Sequence, residues 1–214
     1  MYKRQGFYYY DNGSIPFFDI NGVNAVRSSL KTNAGAVFAD GTYNLADGLF
    51  FTAGIRYSIE HKGYTAASPS GSEGVDAGRT FRAATPRVAV RYEFLPNTNV
   101  YASWNRGFKS GTFNNGGFDR LPVEPEQADA FELGIKTAQH RFSGSVAGFY
   151  TIYKDIQISS NNLVTGINRV QNAAQATIYG VDVDLSYALT SDFDVRLSGE
   201  WLHARYDKLS LIHI

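Results

Sequence analysis

Residues Leu49 to Glu60 read LFFTAGIRYSIE. Every second residue places Leu49, Phe51, Ala53, Ile55, Tyr57 and Ile59 on one side, and Phe50, Thr52, Gly54, Arg56, Ser58 and Glu60 on the other. Successive side chains of a strand point to opposite faces, so the stretch predicts a strand with one greasy face and one largely polar face. The pattern repeats along the chain. Val88, Val90, Tyr92 and Phe94 oppose Arg87, Ala89, Arg91 and Glu93. Tyr179, Val181, Val183, Leu185 and Tyr187 oppose Gly180, Asp182, Asp184, Ser186 and Ala188. Phe193, Val195, Leu197, Gly199 and Trp201 oppose Asp194, Arg196, Ser198, Glu200 and Leu202. A helical spacing fits none of these runs.

A soluble sandwich would also alternate, so strand length and loop asymmetry have to decide. Sandwich strands usually run to about five or six residues, whereas a strand tilted at about 45° needs roughly 9–11 residues to cross a bilayer. Several periods here are of the second kind. Tight turns are predicted at Leu45–Gly48, Leu95–Asn99, Ala138–Arg141 and Leu189–Asp192, and long connections at Asp11–Lys31, Lys62–Thr80, Phe108–Glu126 and Ser159–Asn168. Short and long take turns. Outer-membrane barrels have short periplasmic turns and longer extracellular loops, so the expected fold is all-β: an antiparallel up-and-down transmembrane β-barrel, present in part, with about nine strands.

Composition narrows the function classes. With 20 basic and 20 acidic residues the formal net charge is zero, which offers no electrostatic footprint for nucleic acid. There is no cysteine, and hence neither disulfide nor thiolate–metal chemistry. No apolar run reaches the roughly 18 residues of a transmembrane helix. The 15 Phe and 14 Tyr include Tyr43, Phe50, Phe51, Phe94, Tyr101, Phe142, Tyr187 and Phe193 beside the predicted tight turns, where an interfacial aromatic girdle is expected.

At this point the residues resemble a known family. VYASWNRGFKSGTFN (Val100–Asn114), PVEPEQADAFELGIK (Pro122–Lys136), GFYTIYKDIQIS (Gly148–Ser159) and VQNAAQATIYGVDVDL (Val170–Leu185) resemble, in order and spacing, strand segments of TonB-dependent outer-membrane receptors. Ala174 stands where the family often has Gly, and Asp182 where it often has Glu. The resemblance implies a barrel of about 22 strands with a plugged lumen, residing in the outer membrane of a Gram-negative bacterium. It implies outer-membrane lipid, a plug domain and a TonB energy-coupling complex as partners. The cargo would be a small molecule such as a ferric siderophore, haem, cobalamin or an oligosaccharide, and the motifs do not choose among them. Residues 1–208 are then part of the receptor barrel. Residues 209–214, LSLIHI, look like a translated sequencing adaptor, so the chain is expected to be a fragment without plug, coupling segment or signal peptide.

The polar parity carries Arg56, Arg87, Arg91, Glu93, Glu132, Asp182 and Asp184, expected to face the lumen and the plug, because charge on the lipid face costs roughly 2–4 kcal/mol near the midplane. Arg106, Lys109, Asn114, Asn115 and Arg120 fall at a strand's outer end or in the loop beyond it. They can be read as a basic, amide-rich rim that steers an anionic ligand, or as a fold signature that meets lipopolysaccharide or solvent. His61, His140 and His203 are scattered, with no metal-ligand spacing. No GxSxG elbow, P-loop or GxGxxG occurs. A Ser near His61 or His203 could imitate a barrel hydrolase, but no motif supports it. The expectation is therefore a receptor for import, not an enzyme, with no cofactor. The alternatives are a passive porin or adhesion barrel, and a soluble β-sandwich binding domain.

Overall fold

The structure is a computed structural model that describes residues 2–15, 19–20, 23–24, 26–68, 70–115, 117–161 and 168–209. All its regular elements are strands: β1 (Tyr2–Ile15), β2 (Asp19–Ile20), β3 (Val23–Asn24), β4 (Arg27–Ala46), β5 (Leu49–Ala67), β6 (Gly74–Leu95), β7 (Thr98–Lys109), β8 (Glu126–Ala138), β9 (Phe142–Asn161), β10 (Asn168–Ala188) and β11 (Asp194–Leu209). Strands β2 and β3 make a small separate hairpin. The other nine form one antiparallel sheet in the order β1-β4-β5-β6-β7-β8-β9-β10-β11. This is an up-and-down meander in a single layer, so the sandwich alternative is excluded: the other sheet among the described residues is the two-stranded β2–β3 hairpin, too small to cover the apolar face of nine strands.

That face stays uncovered. Register carries Phe51, Val90, Ala102, Leu133, Gly148, Val181 and Trp201 across neighbouring strands on one side. Leu133, Leu197 and Trp201 are 62%, 63% and 61% exposed. A continuous apolar surface of this extent is stable only against another apolar phase, here hydrocarbon.

Aromatic rows bound the band. Trp104, Phe131, Tyr150, Tyr179 and His203 are consecutive cross-strand partners from β7 to β11, with Tyr150 stacked on Tyr179 at 6.2 Å. Tyr92, Phe94, Phe142 and Tyr187 mark the other margin. From Tyr179 to Tyr187 is about 26 Å along the strand, which a tilt of about 40° reduces to roughly 20 Å of depth before the ring bodies are counted. Phe50 and Tyr101, expected in the girdle, lie instead on the opposite face, under Arg91 (4.1 Å) and Lys136 (4.8 Å) respectively.

The predicted tight turns are all present. Asp47–Gly48, Pro96–Asn97, Gln139–Arg141 and Leu189–Phe193 join successive strands, and Gly48 and Asn97 take positive φ of 72° and 58°. The long connections need correction. Strand β5 continues to Ala67 and β6 starts at Gly74, so the predicted Lys62–Thr80 loop is mostly ladder closed by a serine-rich turn. Much of Asp11–Lys31 is likewise strand, at the end of β1 and the start of β4. Of Ser159–Asn168, β9 runs to Asn161, and residues 162–167 lie outside the described set. Phe108–Glu126 remains a long connection, between the end of β7 at Lys109 and the start of β8 at Glu126. The physical reason is that alternation marks only the part of a strand inside the bilayer. Beyond it a face meets water or another part of the chain, as at buried Tyr64 and Phe81, and the hydrogen-bond ladder continues without the pattern.

Residues 210–214 of the LSLIHI segment lie outside the described residues, while Leu209 pairs with Ala174 at the end of β11.

Candidate functional site

Opposite the apolar face lies a polar inner face, and its charges are sorted along the sheet. Cations crowd β5 and β6. Arg87 Nε donates to Asp40 Oδ2 at 2.6 Å, Arg56 Nε donates to Ser58 Oγ at 3.1 Å, and Arg91 pairs with Glu93 at 3.2 Å. Glu93 also accepts the Asn97 backbone N–H at 3.2 Å, which places it beside the β6–β7 turn. Carboxylates dominate β8 to β11. Glu132 accepts the Tyr101 hydroxyl, Asp184 accepts the Ser198 hydroxyl at 3.0 Å, and Asp182 stands directly opposite Glu200. Like charges placed face to face in a ladder repel. All seven residues expected toward the lumen share this face.

The β7–β8 connection, Ser110–Pro125, folds onto the inner face at the long-loop end. Its stem is closed by a two-way bridge between Thr112 and Val123 (3.1 and 2.6 Å). Phe113 is buried and stacks on Tyr64, ring centroids 5.6 Å apart, in a cluster with Ala66 and Val75. Tyr64, fully buried, donates its hydroxyl to the Gly117 carbonyl at 2.6 Å. Gly111 permits the approach: a Cβ there would sit 2.3 Å from the Val123 carbonyl oxygen and 2.4 Å from the Phe81 ring. On the far side the connection is tied to β9 and β10. Gln157 Nε2 donates to the carbonyls of Ser110 (2.9 Å) and Glu124 (3.0 Å).

The residues expected at the rim therefore divide. Arg106 makes a two-point ion pair with Asp129, at 2.9 and 3.0 Å, which also accepts Trp104 Nε1–H at 3.2 Å. By parity with Val100, Ala102 and Trp104, this group stands on the outer wall, just past the aromatic row. Lys109 pairs with Glu126 at 3.4 Å. Asn114 is engaged with the Val170 backbone. Asn115 and Arg120 are exposed on the connection, next to Leu121 at 82% exposure and the Asp119–Arg169 pair. Of the histidines, His61 bonds Thr80 at 2.9 Å, His203 packs on Tyr179 at 5.2 Å, and His140 sits in the β8–β9 turn.

Sequence reading missed Tyr64, Asp129, Gln157 and Asn172. The amides of Gln157 and Asn172 fall just where alternation fails, and that failure was the available signal.

A profile described as TonB dependent receptor-like, beta-barrel, matches residues 2–210. The chain belongs to the TonB-dependent receptor family. Among curated relatives it is similar to the pesticin receptor of Yersinia enterocolitica serotype O:8, 22% identical over 205 residues, covering 92% of this chain and 29% of that protein. It is also similar to the metal-pseudopaline receptor CntO of Pseudomonas aeruginosa, 30% identical over 129 residues, covering 58% of this chain and 17% of that protein. Among solved structures, the ferric yersiniabactin uptake receptor FyuA of Yersinia pestis aligns with a TM-score of 0.75 at 20% identity, covering 97% of this chain and 32% of that one. The chain thus spans under a third of the length of these relatives. TonB-dependent receptors of this kind reside in the Gram-negative outer membrane, and they are transport receptors rather than enzymes.

Proposed function

We propose that this chain is part of the wall of an outer-membrane receptor that binds a scarce solute, such as a ferric siderophore, outside the cell. The solute passes inward when a plug within the barrel is rearranged by periplasmic energy coupling through TonB. The observation that supports this most is the sorted inner face. Its cations on β5–β6 and carboxylates on β8–β11 suit a lumen occupied by a protein domain of complementary charge better than an open water channel. Exposed Asn115 and Arg120, with Leu121, are the part of the β7–β8 connection that would meet an anionic ligand. Arg106 and Lys109 are engaged within the wall and would act by shaping it, and Asn114 would act by tying the connection to β10. The relatives' cargoes include metal complexes by name, which motivates a chelated metal as the first class to test.

Planar-bilayer conductance of the complete receptor tests the reading against a passive pore. Little steady current is expected with the plug in place, and a large current once the plug is deleted. A large open current in the intact protein would favour the porin alternative.

A further inference from the structure

The β7–β8 connection is held to β10 by two asparagines that act in opposite directions. Asn114, on the connection, donates Nδ2–H to the Val170 carbonyl at 3.0 Å and accepts the Val170 N–H on Oδ1 at 2.7 Å. Asn172, on β10, accepts the Glu124 N–H on Oδ1 at 2.7 Å and donates Nδ2–H to the Glu124 carbonyl at 2.8 Å. Each side chain copies the two-way bond of a strand neighbour, so one primary amide satisfies both backbone groups of a single residue, Val170 on β10 and Glu124 on the connection. Asn172 also donates to the Asp155 carbonyl at 2.7 Å. Asp155 has a positive φ of 55°, and the β9–β10 register shifts at Asn172/Ala174 and Ala174/Ala176. The irregularity starts just after Asn172, which still pairs with Gln157 and is the last residue before Ala173 drops out of register, and from there its side chain reaches the connection.

We propose that Asn114 and Asn172 form a reciprocal latch that keeps the β7–β8 connection as a fixed shelf across the inside of the barrel mouth. The latch secures one side and the Tyr64–Phe113 stack with the Tyr64–Gly117 bond secures the other, so the shelf bridges β5–β6 and β9–β10. Asn114 and Asn172 are positioning residues. They set where Asn115, Arg120 and Leu121 stand, and in that consequence the proposal rests on the uptake reading above. Asparagine is required at both positions because only a primary amide offers a donor and an acceptor side by side; aspartate keeps the acceptor and turns the donor into a second negative oxygen facing a carbonyl.

The test needs no ligand, so its failure is separable from failure of the uptake reading. Backbone hydrogen exchange is measured on the complete receptor in detergent micelles, comparing wild type, Asn114→Ala, Asn172→Ala and Asn172→Asp. The amides of Thr112, Val123 and Glu124 should be protected in wild type and exchange at least about tenfold faster in each variant, while β6 and β7 amides inside the membrane band stay unchanged. A designed pair, Asn114→Cys with Val170→Cys, gives a second arm should the alanine variants fail to assemble; this chain has no native cysteine, and any elsewhere in the complete receptor is replaced by serine first. Slow exchange when oxidised and fast exchange after reduction is the expected result. Wild-type exchange at these amides as fast as in the exposed Ser70–Ser72 turn, or no acceleration in variants that assemble, would overturn the latch.

Discussion

Val90 and Arg91 are adjacent in sequence and face different surroundings. Val90 is 42% exposed on the apolar face, while Arg91 lies over the Phe50 ring and pairs with Glu93 on the inner face. Val90→Arg should cost about 2–4 kcal/mol by placing a cation against hydrocarbon, and Arg91→Ala under about 1 kcal/mol, since the pair it removes is partly solvated. Heat-modifiable gel migration of the complete receptor reads out both. Equal tolerance at the two positions would mean that the faces are not divided as described. Gly180 is a tight steric point of the sheet: a Cβ there would lie 2.2 Å from the Trp201 carbonyl oxygen and 2.8 Å from the Phe149 ring. Gly180→Ala should destabilise by about 1–3 kcal/mol through forced displacement of the ladder, seen as a lower urea midpoint for unfolding from micelles. The alternating residues were fully legible in the sequence, because facing lipid or facing the interior is a property of parity alone. The partners were not. Nothing in the spacing of Arg106 and Asp129 announces their two-point ion pair, since cross-strand register decides it.

At the scale of elements, turns and loops behave differently. The turn end is specified locally: Asp-Gly at the β4–β5 hairpin and Pro-Asn at β6–β7 supply the backbone conformations that a two-residue reversal needs. Gly48 combines a φ of 72° with a Cβ position only 2.4 Å from the Glu93 carbonyl oxygen. Gly48→Val should therefore impair assembly more than Asn97→Gly, which suits the φ of 58° at that position; refolding yield into lipid vesicles separates them. The β7–β8 connection owes its form to packing instead. Gly111→Ala should lift it off Phe81 and Val123, exposing the segment around Gly117 to protease while the strands resist cleavage; resistance equal to wild type would show that the close approach is unimportant. Strand ends on the long-loop side were underestimated from sequence for a related reason. Past the lipid margin, residues such as Tyr64 and Phe81 are buried by that connection rather than by membrane, so their neighbours show no clean alternation.

For the whole molecule, the governing facts are a single layer and two outer strands. Neither β1 nor β11 has a second neighbour among the described residues, and β11 is exposed throughout. Unpaired edges beside a broad apolar face template further pairing. The 214-residue chain expressed by itself should accordingly aggregate in detergent-free buffer and remain dispersed only in micelles. A monomeric, water-soluble species by size-exclusion chromatography would contradict the single-layer architecture.

The sequence by itself determined the strand class, the two faces, the tight turns and the family, because each depends on parity, local turn chemistry or short motifs carried within one strand and its neighbour. Only the tertiary structure decided that charges on the inner face sort by strand, that Arg106 and Lys109 are paired within the wall while Asn114 ties the β7–β8 connection to β10, and that this connection is held by asparagines on one side and by Tyr64 on the other. Those outcomes join residues from 17 to 56 positions apart in the chain, brought together by a register that is fixed collectively across the sheet.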